Sequence, residues 1–172
     1  IIDWQDFLQK VQENPPEVVV NTDYIFSNGA VFMDQFLENP TDSLVFIQYG
    51  PSLPEFLNMV KDKATGVIYD YISAPLPGER YDRIRKMYKE KYPEQTPDPY
   101  VFSLYEMVNV YADALAKVGD PTKHEEIGQA IGKTDKNTVM GRLVFNPENH
   151  CAREGDEFVP TVFYQIWDGK RH

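Results

Sequence analysis

The sequence predicts an α/β protein built on a parallel, helix-covered sheet, and three observations carry that prediction. Short runs of β-branched and aromatic residues, EVVVN at 17–21, LVFIQ at 44–48 and GVIYDY at 66–71, read as strands. The segments between them space their apolar residues with the 3.6-residue period of a helix. Strand and helix alternate, which implies parallel neighbours, because a parallel pair needs a long crossover that a helix supplies.

The chain opens with a helix in which Trp4, Phe7, Leu8 and Val11 fall at i, i+3, i+4 and i+7, and the NPP run at 14–16 ends it. EVVVN follows as a continuous apolar run, the pattern of a strand buried on both faces. Residues 29–37 return to helix, with Ala30, Met33, Phe36 and Leu37 as the apolar stripe. After LVFIQ, Ser52 and Glu55 have capping-box spacing at the head of PEFLNMV, and GVIYDY is the third strand.

The proline-rich APLPG at 74–78 breaks this alternation, and three helices are predicted in succession from 79 to 132. Tyr81, Ile84, Met87 and Tyr88 form the stripe of the first. Asp98 as N-cap with Pro99 at the first helical position starts the long second helix, and Gly119 closes it. Thr122 and Glu125 have capping-box spacing for the third, with Gly132 as its C-terminal glycine. Two strands remain, in VMGRLVFN and TVFYQIWDGK, separated by a polar loop, with Asp168–Gly169 as a turn.

Within the third helix lies GQAIGKT at 128–134, which resembles the tail of a phosphate-binding loop. That loop requires a strand before it and a helix opening after it, so that free N–H groups meet phosphate. Here the spacing is one residue short and a helix comes before the glycines, so the segment is read as a helix end.

Composition narrows the classes of function. A chain of 172 residues with 42% hydrophobic content can bury a substantial core. The net charge of −10 argues against nucleic acid and anionic membrane as partners, since both need clustered Lys and Arg. The one basic stretch, ERYDRIRKMYKEKY, is interleaved with acids and reads as a solvated helix face. A single cysteine, Cys151, excludes an internal disulfide and a Cys-rich zinc site. The most apolar stretch, around 100–118, is interrupted by Glu106, Asn109 and Asp113, so no direct membrane insertion is expected.

In an open α/β sheet, ligands bind beyond the carboxyl ends of the strands. That rule selects the NTDYIFSN, QYGPS and ISAP loops, and with them Asp23, Tyr24, Phe26, Ser27, Gln48, Tyr49 and Ser52. An aromatic rim with a few polar groups suits a small organic ligand. Catalytic signatures are absent: there is no G-x-S-x-G elbow, and His124, His150 and His172 lack metal-ligand spacing. His150 and Cys151 are adjacent on an extended segment, which points them apart. No enzyme activity, metal or cofactor is expected.

The ordered set of VVV strand, aromatic loop, LVFIQYGPS, ATGVIY, KYP-terminated helix, DPYVFSLYEMVNVYADAL, TVMGRLVFNPENH and VFYQIWDGK resembles the later part of type I periplasmic binding proteins. The nearest group is the branched-chain amino acid and amide substrate-binding proteins of ABC transporters. The resemblance runs along nearly the whole chain, and no single motif in it is diagnostic. It implies two α/β lobes joined by crossover strands, with a small ligand held when they close.

On that footing, residues 1–74 are part of the second lobe, and 75–135 are a crossover with helices that would pack on the first lobe. Residues 136–172 are strands returning toward the crossover, and most of the first lobe is missing. The implied ligand contacts are Asp23, Tyr24, Phe26, Gln48, Tyr49 and Ser52, with Tyr100 or Phe102 from the long helix. The resemblance also implies a membrane permease as partner and a periplasmic or extracellular location. One departure is that QYGPS lacks the acid with which amino-acid binders meet an α-ammonium group, and Asp23 is the nearest substitute. Alternatives are a ligand-sensing domain of the same fold and, from another class, an α/β hydrolase-like enzyme.

Overall fold

The structure is a computed structural model and describes residues 3–172. The chain divides into two compact units, one formed by Ile1–Tyr71 with Val162–His172 and the other by Ile72–Thr161.

The first unit contains α1 (Gln5–Glu13), β1 (Val18–Asn21), α2 (Phe26–Phe36), β2 (Leu44–Ile47), α3 (Pro54–Val60), β3 (Ile68–Ile72, whose last residue falls at the division), β6 (Thr161–Trp167, whose first residue does) and β7 (Lys170–Arg171). The sheet order is β1-β2-β3-β6-β7. β1, β2 and β3 are parallel, as expected from the alternation, and β7 pairs antiparallel with β6, which makes the sheet mixed. Residues 168 and 169 form the expected turn, both at positive φ.

Helices α1, α2 and α3 lie on one face of this sheet. The backbone of Gly29 in α2 runs so close to the sheet that an added Cβ would stand 3.4 Å from both Ile47 of β2 and Phe56 of α3. Phe32, Met33 and Phe36 of α2 are buried with Leu8 and Val11 of α1, each such side chain contributing about 1.5–3 kcal/mol of apolar burial. Trp4 fastens α1 to α2: its N–H donates to Gln35 Oε1, its indole Nε1 donates to the Asn28 carbonyl, and its ring meets Phe32 edge-on at 5.9 Å.

Several local expectations are corrected. Phe7 and Leu37, assigned to buried stripes, are exposed. β1 is not buried on both faces: Val19 and Asn21 point under the helices, while Val18 and Val20 are 47% and 53% exposed. The reason is positional, since β1 is the end strand and its second face carries none of these helices. α2 begins at Phe26, three residues early, because Asp23 organises the preceding turn. Ser52 does not cap α3; Leu53 is the N-cap, Pro54 takes the first helical position, and the Ser52 hydroxyl turns back to the Tyr49 carbonyl.

The second unit holds α4 (Glu79–Lys91), α5 (Pro99–Val118), α6 (His124–Gly132) and the antiparallel hairpin of β4 (Asp135–Thr138) and β5 (Gly141–Val144). Its core gathers Ile84, Phe102, Val110, Val139, Met140, Leu143 and Val159. Met87, placed on the α4 stripe, is exposed. The ends of α5 form as the sequence reads: Asp98 Oδ1 accepts the Tyr100 N–H at 2.8 Å, and Gly119 closes the helix at φ +76°, its N–H donating to Leu115. The Thr122 capping box does not form, because Thr122 bonds to Asp120 and the helix starts after Lys123. α6 ends at Gly132, and Lys133 and Thr134 donate back to Ala130 and Ile131, so GQAIGKT closes a helix and presents no helix N-terminus.

The hairpin also differs from the reading of VMGRLVFN as one strand. β4 lies in the polar DKNT, and Val139 and Met140 form the turn, each only 2% exposed. A buried turn must satisfy its backbone groups. Thr138 Oγ1 accepts the Met140 N–H and donates to the Gly141 carbonyl, while Val139 N–H donates to Glu106 Oε1 at 3.0 Å. Glu106 is wholly buried, and Arg80 meets both its oxygens, through Nε and, at 2.7 Å, through Nη2. Gly141 has φ +112°, and a Cβ there would fall 2.1 Å from the Phe158 carbonyl oxygen, so no other residue fits.

Candidate functional site

At the carboxyl ends of β1 and β2 two loops are tied to each other. The β1 loop starts from Asn21, whose Oδ1 accepts the Asp23 N–H at 3.1 Å. Asp23 then accepts the Ile25 N–H with one oxygen and the Asn28 side-chain amide with the other, at 2.8 and 2.7 Å. Both carboxylate oxygens thus hold the turn that launches α2. They leave Tyr24 on its crest, 72% exposed.

The β2 loop is built around Tyr49. Its backbone has φ +65° and ψ −58°, which for a residue with a side chain is a strained region costing about 1–3 kcal/mol. The conformation is held on both sides. Gly50 N–H donates to the Gln48 carbonyl at 2.7 Å, and the Tyr49 carbonyl accepts from Ser52 N and Oγ at 2.8 and 2.6 Å. Arg171 Nε donates to the Pro51 carbonyl from β7. The Gln48 N–H donates to the Asn21 carbonyl, and Gly50 packs against the Phe26 backbone, where an added Cβ would lie 3.5 Å from Cα. The loops therefore bring the Tyr24 and Tyr49 rings to 5.8 Å, tilted by 51°.

Of the sequence-selected residues, Asp23, Tyr24, Phe26, Ser27, Gln48, Tyr49 and Ser52 all fall in this cluster. Tyr24 is open, Phe26, Gln48 and Tyr49 are half-buried, and Ser52 is 2% exposed with its hydroxyl spent on Tyr49. The other two lie in the second unit on α5. Tyr100 is at its surface, whereas Phe102 is built into its core, stacked on Tyr81 at 4.8 Å. Sequence reasoning missed Asn21 and Arg171, the residues that hold the two loops; a polar residue ending the otherwise apolar EVVVN was the one available signal.

Chemically, the cluster offers aromatic faces, phenol hydroxyls and an amide, which bind and orient. Among the described residues no group of three His, Cys, Asp or Glu is placed to hold a metal ion, and no helix is long and apolar enough to cross a membrane. Behind the loops, Tyr69 stacks on Tyr164 at 5.4 Å, and burial pushes its phenol well above the usual tyrosine range against a smaller lowering by Arg171.

No protein-family profile and no curated relative matches the sequence. Solved structures do. A branched-chain amino acid ABC transporter protein from Silicibacter pomeroyi is 28% identical with a TM-score of 0.81, the alignment covering 98% of this chain and 46% of that one. The leucine-binding protein LivK from Thermotoga maritima is 19% identical with a TM-score of 0.83, covering 99% and 47%. A solute-binding protein of an ABC transporter from R. palustris, in complex with benzoate, is 14% identical with a TM-score of 0.80, covering 100% and 46%. The chain thus spans about half the length of the structures it matches. Its fold is that of the type I periplasmic binding proteins, and its structural neighbours are the substrate-binding proteins of branched-chain amino acid ABC transporters.

Proposed function

We propose that these residues belong to the solute-binding component of an ABC uptake system, working outside the cytoplasmic membrane, delivering to a membrane permease and performing no chemistry. The ligand is a small polar organic molecule received on the Tyr24–Tyr49 loop cluster, with Phe26 and Gln48 beside it. Asp23 and Ser52 hold the loops from within.

The observation that carries the reading is the backbone of Tyr49. A strained residue persists where the surroundings over-determine it, and such strain gathers at ligand-binding positions. Here two hydrogen bonds from Ser52 and one from Gly50 hold in place a large aromatic residue where glycine would sit without strain. The expected ligand has an apolar or aromatic body and a hydrogen-bonding head. The QYGPS loop brings no acid for an ammonium group, and both Asp23 oxygens are engaged. Plain α-amino acids are therefore disfavoured.

Calorimetric titration of the longer, two-lobed chain with benzoate, leucine and isoleucine tests this. For the ligand that binds, Tyr49→Ala should weaken affinity by about 1–3 kcal/mol, as loss of an aromatic anchor does. Tyr49→Gly should weaken it as much while melting no lower than Tyr49→Ala, because it also releases backbone strain. Should both variants melt far lower while their folded fraction binds normally, Tyr49 is a packing residue and the assignment falls.

A further inference from the structure

Arg171 reaches the Tyr49 loop from the far end of the chain. The Asp168–Gly169 turn, at φ +51° and +66°, sets β7 against β6 so that Arg171 stands opposite Ile166. Residues paired in this way share a face of the sheet, and Ile166 is fully buried, so the arginine is directed inward; a slip of one residue would turn it away. There its Nε donates to the Pro51 carbonyl at 3.0 Å. Its Nη2 is buried with no acceptor among the described residues. Leaving a donor of a guanidinium buried and unpaired is unfavourable, so the side chain's own hydrogen bonding does not account for its place.

The Pro51 carbonyl and the Ser52 N–H are the two ends of one planar, trans peptide unit. Arg171 holds the oxygen, and the N–H at the opposite end donates to the Tyr49 carbonyl at 2.8 Å. Because the unit is rigid, fixing its oxygen fixes the direction of its N–H. A cation on the carbonyl also polarises the amide into a stronger donor.

We propose that Arg171 is a positioning residue for the ligand loop, and that through the Pro51–Ser52 peptide it keeps Tyr49 in its positive-φ conformation. The inference rests on the reading of Tyr49 as a ligand contact. Without the arginine the peptide unit is free to turn and its N–H leaves the Tyr49 carbonyl. The strained backbone at φ +65° then relaxes toward an ordinary region, taking the Tyr49 ring away from Tyr24. Arg171 acts on the ligand through Tyr49, not by contact.

Hydrogen exchange on the ligand-free two-lobed chain, followed by calorimetry with benzoate, leucine and isoleucine, tests both links. In Arg171→Met the Ser52 amide should exchange about tenfold faster, while the amides of Leu44 and Ile166, bonded to Glu17 and Val67, should keep their rates. Affinity for whichever of the three ligands binds should fall about tenfold, the loss expected when only about a tenth of the molecules hold the competent loop. Arg171→Lys, which keeps a charged donor for the Pro51 carbonyl, should recover most of both changes. Combined with Tyr49→Gly, where no strain drives the loop away, Arg171→Met should speed Ser52 exchange far less. Unchanged Ser52 exchange overturns the proposal. So does equal acceleration with and without Tyr49→Gly, or a matching rise at Leu44 and Ile166, because Arg171 would then be an ordinary structural residue. Faster Ser52 exchange with unchanged affinity supports the role of Arg171 in the loop and overturns the assignment of Tyr49 to the ligand.

Discussion

Arg80→Met should destabilise the second unit more than the double change of Arg80→Met with Glu106→Met. Glu106 is wholly buried in α5, whereas the Arg80 side chain in α4 keeps 35% of its surface in solvent. Removing only Arg80 strands a carboxylate with the Val139 N–H as its one remaining partner among the described residues, and losing one member of a buried pair costs about 3–5 kcal/mol. Removing both takes away the charge and leaves an unpaired Val139 N–H under an apolar side chain of similar length, a cost of about 1–3 kcal/mol. The expected difference is therefore about 2 kcal/mol in favour of the double variant, or roughly 4–8 °C in melting temperature for a chain of this size. Urea unfolding of wild type, both single variants and the double variant, arranged as a double-mutant cycle, measures the coupling directly. Additive losses, or an Arg80→Met cost below about 1 kcal/mol, would mean that the pair does not hold α4, α5 and the hairpin turn together.

Three further outcomes are expected. Asp98→Ala removes the side-chain acceptor at the start of α5 and should cost about 1 kcal/mol, read as a lower urea midpoint with unchanged slope. Lys133→Ala, at an exposed helix end, should stay within about 0.5 kcal/mol, and a nucleotide-dependent rise in melting temperature abolished by this change would restore a phosphate-binding role for GQAIGKT. Hydrogen bonding to Arg142 holds the Asp135 carboxyl below its usual range, so the stabilisation from this pair is present above the unfolded carboxylate range and lost as pH falls through the lowered native value. Asp135→Asn should flatten the acid limb of the stability profile, and added salt should shrink the difference because the pair is exposed.

Much of this protein is legible in the order of its residues. Asp98, Pro99 and Gly119 bound α5 because their effects act within a turn of the chain, and a hydroxyl, ring or missing Cβ has the same local consequence in any fold. β1, β2, β3 and α2 follow from apolar period, and the rule for open α/β sheets leads from those strands to the loops of Tyr24 and Tyr49. The same reasoning overextended where a local motif had a competitor. Ser52 and Thr122 have capping-box spacing, yet each hydroxyl finds a nearer acceptor in Tyr49 and Asp120. Both faces of β1 read as apolar, and sequence period cannot report that only one of them lies under helices.

What tertiary structure alone decided are the contacts between residues far apart in the chain. Glu106 reads as a polar interruption of an apolar helix, and only the fold brings Arg80, 26 positions away, and Val139, 33 positions away, to its two oxygens. Those partners let the apolar pair Val139–Met140 form a buried turn where sequence period reads a strand. Tyr49 is likewise visible as an aromatic residue in a loop, but its positive φ and its ring pairing with Tyr24 depend on hydrogen bonds that arise once β1 and β2 lie side by side. Local propensity is set by neighbours along the chain, and therefore by sequence; burial, charge pairing and strain are set by neighbours in space, which exist only after folding.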